Sequence, residues 1–294
     1  MDKPGAIFER GGEHAVLLLH GLSSSPLELR YLARFLHREG FTVSVPVLDG
    51  YSAGTPERTM GHWVKAAVRE YDRLAEEYPH VSVCGLSIGA ALALALAQTR
   101  ADLRALVLFS LTLSYDGWAV PWYRFLLRLA YYTPMRHGWR YRESEPYGLR
   151  NEALRAKIRR AMDQGDLSEV GPATISLPAL HEAQRLVDRV RPSLDRIKND
   201  CLIVHASDDE TSSPRNAQFA ARHLGTSFLR TIWLGDSYHM ITSDNEREVV
   251  AQETAGFLRE SEAISRGDST GGLVVSRALA RRLRHLSSLA GAGR

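Results

Sequence analysis

Only two of the 294 residues are cysteine, too few for a disulfide framework. Both Cys84 and Cys201 stand at the edges of apolar, β-like runs, where a thiol packs as a small reduced hydrophobe. Long hydrophobic runs are missing from the start of the chain: residues 15–19 form its longest early apolar stretch, far short of the ~20 needed to cross a bilayer. The segment before it is acidic and polar rather than basic, unlike an export leader. These absences predict a soluble, cytoplasmic protein. Charge of one sign is also scarce over the body. The formal net charge is +3, yet within residues 261–294 six arginines oppose Glu262 and Asp268, so the basicity belongs to the end of the chain and the body is near neutral. Such a body presents no electrostatic footprint for nucleic acid. No internal repeat is visible.

What is present is ordinary globular composition, 44% hydrophobic and 24% charged, in a chain long enough to bury a sizeable core within one large domain. Apolar runs at residues 16–19, 41–48, 81–84, 103–109, 201–205 and 227–234 read as strands. Between them, residues 27–38, 62–78, 88–98, 215–223 and 245–260 carry apolar side chains at helical spacing. Strands alternating with helices predict a mostly parallel sheet covered on both faces.

Residues 112–186 break the alternation. This stretch is aromatic and basic, with Trp118, Trp122, Tyr123, Phe125, Tyr131, Tyr132, Trp139 and Tyr141. An insertion of that length between two strands is expected to form a helical cap over the carboxyl edge of the sheet. The expected organisation is a core of residues 1–111 and 187–260, a cap of residues 112–186, and a basic tail of residues 261–294 with an amphipathic helix, a candidate for peripheral membrane contact.

Gly85-Leu86-Ser87-Ile88-Gly89 follows one predicted strand and precedes a helix rich in small residues, the strand-turn-helix setting that a G-x-S-x-G nucleophile needs. Glycines beside the serine allow a strained turn that exposes its hydroxyl, and the helix N-terminus faces developing negative charge. The N–H of Ile88 is one oxyanion donor; the N–H of Leu22, after His20-Gly21 at the end of the first buried strand, is the candidate for the second. His20 itself is expected to shape the loop. His239, in the loop after the last predicted strand, is the candidate base among eleven histidines. The acid that orients it should lie after the strand at residues 201–205. Asp209 is favoured over Asp208 there, Glu210 is a third choice, and Asp236 is assigned to the loop beside His239.

The ordered motifs His20-Gly21-Leu22, Gly85-Leu86-Ser87-Ile88-Gly89, Ala206-Ser207-Asp208-Asp209-Glu210 with Pro214, and Ser237-Tyr238-His239-Met240-Ile241-Thr242 resemble the bacterial carboxylesterases and monoacylglycerol lipases of the α/β-hydrolase superfamily. The resemblance implies the α/β-hydrolase fold, the aspartate five residues before the loop proline (Asp209) as the acid, Leu22 and Ile88 as the oxyanion hole, and a cap over an acyl pocket. Here the cap is longer and more aromatic than in the small esterases, and the tail has no counterpart.

The reaction expected is hydrolysis of a small-molecule carboxylic ester, with an apolar acyl chain suggested by the aromatic cap, through an acyl-enzyme on Ser87. It needs neither metal nor organic cofactor. An acyl thioesterase would use the same residues, with Arg124, Arg128, Arg136, Arg140, Arg142, Arg150 and Arg155 as a basic face for an acidic carrier. A peptidase remains open because fold and triad do not select the bond, and a non-catalytic binding protein of the same fold is the alternative from another class. Oligomeric state is left open.

Overall fold

The computed structural model describes residues 5–120, 125–163 and 174–266. Its core is a seven-stranded sheet. In chain order the strands are β1 (Ile7–Glu9), β2 (His14–Leu19), β3 (Thr42–Val45), β4 (His80–Leu86), β5 (Ala105–Phe109), then β8 (Asp200–Ala206) and β9 (Leu229–Leu234), arranged β1-β3-β2-β4-β5-β8-β9. Only β1 runs antiparallel, against β3; every other pairing is parallel. β6 (Arg140–Arg142) and β7 (Thr174–Ser176) form a separate antiparallel ribbon.

The apolar runs are continuous because both faces of the sheet are buried. Leu106, Leu108, Cys201 and Ile203 belong to one core, shared with α2 (Met60–Glu77), α3 (Ile88–Ala97), α6 (Leu177–Val190) and α7 (Arg215–His223). Ala105, Val107, Phe109, Leu202 and Val204 belong to the other, covered by α1 (Arg30–Arg38) and α8 (Arg247–Ser265). Successive side chains point to opposite faces, so each strand feeds both cores. All ten residues of α3 are buried, as expected for a helix apolar all round. Cys84 and Cys201 are buried free thiols whose pKa burial raises.

Three features differ from the sequence expectation. The expected cap ended at residue 186, but α6 begins at Leu177 and packs Ala179, Ala183, Leu186, Val187 and Val190 into the sheet core; its Pro178 and the Ser176 cap start the helix there. The inserted stretch is not purely helical either. Besides α4 (Leu126–Ala130) and α5 (Glu152–Asp163), it contributes the β6–β7 ribbon, and its Phe125, Leu126, Leu129, Tyr132 and Met135 are exposed rather than gathered into a wall. The tail expected from residue 261 starts later, because Ser261 Oγ donates to Asp200 Oδ2 at 2.6 Å and Glu262 Oε2 accepts from His14 Nδ1 at 2.9 Å, which holds α8 against the sheet to Ser265. The amphipathic helix expected beyond it lies outside the described residues. Among the described residues no helix is long and apolar enough to cross a membrane.

Leu106 on central strand β5 is fully buried between β4 and β8. Leu106→Ala is expected to cost about 2–5 kcal/mol, read as a lowered thermal midpoint.

Candidate active site

Three loops at the carboxyl ends of β4, β8 and β9 meet above the centre of the sheet. Ser87, between β4 and α3, has φ 58° and ψ −119°, a sparsely populated conformation that costs on the order of 1–3 kcal/mol. Its N–H donates to Phe109 O at 2.9 Å. Both flanking glycines are required by space. A Cβ on Gly85 would stand 2.2 Å from Gly89 O, and one on Gly89 would stand 2.3 Å from His20 O and 2.4 Å from Leu19 O. Gly89 thereby lets the end of β2 lie against the first turn of α3, which brings the Leu22 and Ile88 loops to the same edge. No hydrogen bond among the described residues uses the N–H of Leu22 or of Ile88, and Ile88 as the first helical residue has no intrahelical acceptor.

Ser87 Oγ lies 2.9 Å from His239 Nε2, and His239 Nδ1 lies 2.8 Å from Asp209 Oδ2 and 3.0 Å from Oδ1. A carboxylate only accepts, so Nδ1 carries the hydrogen and, in the neutral ring, Nε2 accepts from the serine hydroxyl. Asp209 is buried, and its Oδ1 also accepts from the N–H groups of Thr211 at 2.9 Å and Ser212 at 2.7 Å. Burial alone would raise its pKa; the charge of His239 and these hydrogen bonds outweigh it and hold the carboxyl below its usual range. Asp208, one residue earlier, turns outward with its side chain 54% exposed toward Arg150. Asp236 is also exposed and lies 3.3 Å from Arg150. The structure thus gathers Ser87, His239 and Asp209 and leaves Asp208 and Asp236 at the rim.

His20 shapes its loop. Its Nδ1 donates to Gly21 O at 2.8 Å, its Nε2 accepts from Ser52 Oγ at 2.7 Å, and the Tyr51 hydroxyl donates to His20 O at 2.9 Å. Burial lowers the imidazole pKa to about 4, so the ring is neutral.

Two glutamates are buried beside this group: Glu210, the third choice for the acid, and Glu28, which sequence reasoning did not place here. Glu210 Oε2 accepts the backbone N–H of His239 at 3.0 Å, so it holds the His239 loop, while the His239 ring nitrogen Nδ1 faces Asp209. Glu28 Oε2 accepts from Gly21 N at 2.7 Å. The pattern Ser25-x-x-Glu28 before a helical segment reads as a capping box, and Ser25 does cap the 3₁₀ turn Pro26–Leu29, but the glutamate reaches across to the Gly21 loop instead. The Asp209 loop is in turn clamped to the chain leaving β5: Asp116 accepts from Ser213 N, Ser213 Oγ and Asn216 Nδ2 at 2.8–2.9 Å, and Gly117 N donates to Thr211 O.

Electrostatics set the protonation states. Burial opposes charge on His239, but the charge and hydrogen bond of Asp209, with Glu210 and Glu143 nearby, raise it to about 9. Burial raises Glu28 and Glu143 to about 7 each, against the opposing pull of His239. Among the described residues no group of three or more histidine, cysteine, aspartate or glutamate side chains is arranged to hold a metal ion.

A mostly parallel sheet with a serine on the strained β4–α3 turn, a histidine after the last strand and a carboxylate after the strand before it defines an α/β-hydrolase. The family model for serine aminopeptidases, S33, matches residues 12–247, and the chain belongs to that family. It is 26% identical to a carboxylesterase of Bacillus subtilis (strain 168) over 257 residues, covering 85% of this chain and 94% of that one. It is also 26% identical to a thermostable monoacylglycerol lipase of Bacillus sp. (strain H-257) over 254 residues, covering 85% and 92%. Among solved structures, a chain from work on the metagenome-derived lipolytic enzymes LipS and LipT (TM-score 0.74, 23% identity, 87% of this chain and 97% of that one) and the Paleococcus ferrophilus monoacylglycerol lipase (TM-score 0.70, 18% identity, 87% and 98%) share the fold.

Glu28 also links pH to stability. Its folded pKa of about 7 stands above the ordinary 4.5, so the folded protein retains a proton that the unfolded chain releases. The stability this gives is full below about 4.5 and is lost as pH rises through about 7. Glu28→Gln, compared with wild type by chemical denaturation, is expected to gain relative stability on the order of 2 kcal/mol between pH 5 and pH 8. A constant difference across that range would contradict the assignment.

Proposed function

We propose that the protein hydrolyses carboxylic esters through an acyl-enzyme formed on Ser87. The hydrogen-bonded series Ser87 Oγ, His239 Nε2, His239 Nδ1 and Asp209 carries this reading, and the similarity to a carboxylesterase and a monoacylglycerol lipase supports it. Ser87 Oγ attacks the ester carbonyl while its proton passes to His239 Nε2. The carbonyl electron pair collects on oxygen, which the N–H groups of Leu22 and Ile88 bind. Collapse of the tetrahedral species expels the alcohol, which takes the proton from His239. Water then repeats the sequence at the acyl-enzyme, with His239 as base and then acid, and releases the carboxylic acid. Asp209 orients His239 and stabilises the imidazolium. The inserted segment from Thr112 to the β6–β7 ribbon serves as the cap over the acyl side, and the substrate is a small ester.

Thioester hydrolysis would use the same atoms. The basic face invoked for an acidic carrier is weakened as an argument because two of its arginines are engaged within the fold: Arg150 against Asp208, Asp236 and Gly235 O, and Arg155 on the carbonyls of Leu149 and Arg150. The family's aminopeptidase description makes an amide substrate the necessary control.

Release of p-nitrophenol from acyl esters of graded length is expected from the wild-type protein and is expected to be lost in Ser87→Ala, with p-nitroanilides turned over far more slowly. Asp209→Asn should lower kcat by roughly 10⁴-fold, whereas Asp208→Asn should leave it within about twofold because that side chain is on the rim. Equal effects of the two substitutions would refute the assignment of the acid.

The base must be neutral to accept the serine proton, and its pKa of about 9 lies above the ordinary 6.5. The plot of kcat/KM against pH is therefore expected to rise through an acid limb centred near 9. A midpoint at or below 7 would show that the surrounding carboxylates do not act on His239 in this way.

A further inference from the structure

Proton bookkeeping at Ser87 Oγ leaves one contact unexplained by the mechanism above. Besides His239 Nε2 at 2.9 Å, the serine oxygen has Thr112 Oγ1 at 3.2 Å. Ser87 has a single hydroxyl hydrogen. When His239 is neutral and ready to act as base, that hydrogen is donated to Nε2, so in the Thr112 contact the threonine must be the donor. When His239 is charged, Nε2–H donates to Ser87 Oγ, the serine hydrogen turns to Thr112 Oγ1, and the threonine hydrogen goes to its other neighbour, Ser110 O at 3.3 Å. Thr112 therefore completes the hydrogen bonding of Ser87 in both charge states.

The threonine is built into this position. It is fully buried, between Leu111 and Leu113, which are both anchored in the core that contains α3. On one side Ser110, at φ 43°, donates its N–H to Val204 O at 2.9 Å and its hydroxyl to His239 O at 2.6 Å. On the other, Leu113 N donates to Asn216 Oδ1 at 2.9 Å. With the backbone held on both sides and a β-branched side chain stiff at χ1, the hydroxyl needs no reorganisation when charge appears beside it.

We propose that Thr112 is a further catalytic residue, whose hydroxyl donates to Ser87 Oγ as the serine proton leaves for His239. The proposal rests on the serine-nucleophile reading above. In acylation the O–H bond of Ser87 breaks toward Nε2 and the Oγ–carbon bond forms; donation from Thr112 to the remaining lone pair stabilises the negative charge that Oγ carries in between. In deacylation the Oγ–carbon bond breaks, its electron pair returns to Oγ, and the same donor supports the leaving alkoxide until His239 returns the proton. No atom is transferred from Thr112. Both contacts of its hydroxyl are long for a neutral pair, and charge on Oγ is what would draw this one short.

The test compares Thr112→Val, Thr112→Ala and Thr112→Ser with wild type by the second-order rate of inactivation with a fluorophosphonate and by kcat/KM on a p-nitrophenyl ester. Loss of a hydrogen bond to a charged group predicts that Val and Ala slow both rates about 10- to 100-fold with KM little changed, while Ser stays within about threefold of wild type. Ser and Ala are of similar size, so this pair reports the hydroxyl even if Val disturbs folding. Val or Ala at the wild-type rate would overturn the proposal, as would Ser as slow as Ala, which would mean that only the shape of the side chain matters. Failure of the wild-type protein to be inactivated would overturn the serine reading itself, and the role of Thr112 with it.

Discussion

The approach of Gly89 to the carbonyls of Leu19 and His20 is the contact on which the rest of the site depends. It presses the N-terminus of α3 against the end of β2, so that the turn carrying Ser87 and the loop carrying Leu22 share one edge. The unfavourable backbone of Ser87 persists because the chain on both sides is locked: β4 lies between β2 and β5, α3 is buried on every face, and the Ser87 N–H is held by Phe109 O. Strain of this kind survives only where the surrounding structure over-determines it.

Around that turn the chemistry is arranged by carboxylates of different roles. Asp209 is kept ionised by His239 and backbone N–H groups, whereas Glu28 and Glu143 are pushed toward neutrality by burial. Their common neighbour is His239, whose raised proton affinity results from the acidic groups outweighing desolvation. Glu28 and Glu210 each accept a backbone N–H, from Gly21 and His239. The same side chains that shape the field therefore also hold the loops, which ties the electrostatics of the site to its geometry.

The chain leaving β5 joins these parts. Within a few residues Ser110 bonds the carbonyl of His239, Thr112 touches Ser87, Leu113 bonds Asn216, and Asp116 clamps Ser213 beyond Asp209. The inserted segment starts from this strip, so its point of attachment is continuous with the loops that carry Ser87, Asp209 and His239.

The alternation of apolar strands and helices, and the pairing of Ser87 with His239, were legible in the sequence because they depend on local pattern: continuous apolar runs, helical spacing, and small residues at fixed offsets around a serine. Local pattern favoured Asp209 over Asp208 without settling the choice, since neighbouring residues on a turn differ only in which way the backbone aims them; the tertiary structure sends Asp209 inward to His239 and Asp208 toward Arg150. It also could not show that Ser25-x-x-Glu28, which reads as a local cap, would send its glutamate to Gly21, or that Thr112 would reach a serine 25 residues away. The extent of the insertion was misjudged for the same reason. The apolar stripe of α6 looks the same in sequence whether it lines a cap or the sheet, and only packing against α3 decides. Sequence by itself determined which segments must be buried and which residue types could do the chemistry; the tertiary structure alone decided which polar groups face one another, because burial is set by local periodicity while hydrogen-bond partners are set by long-range approach.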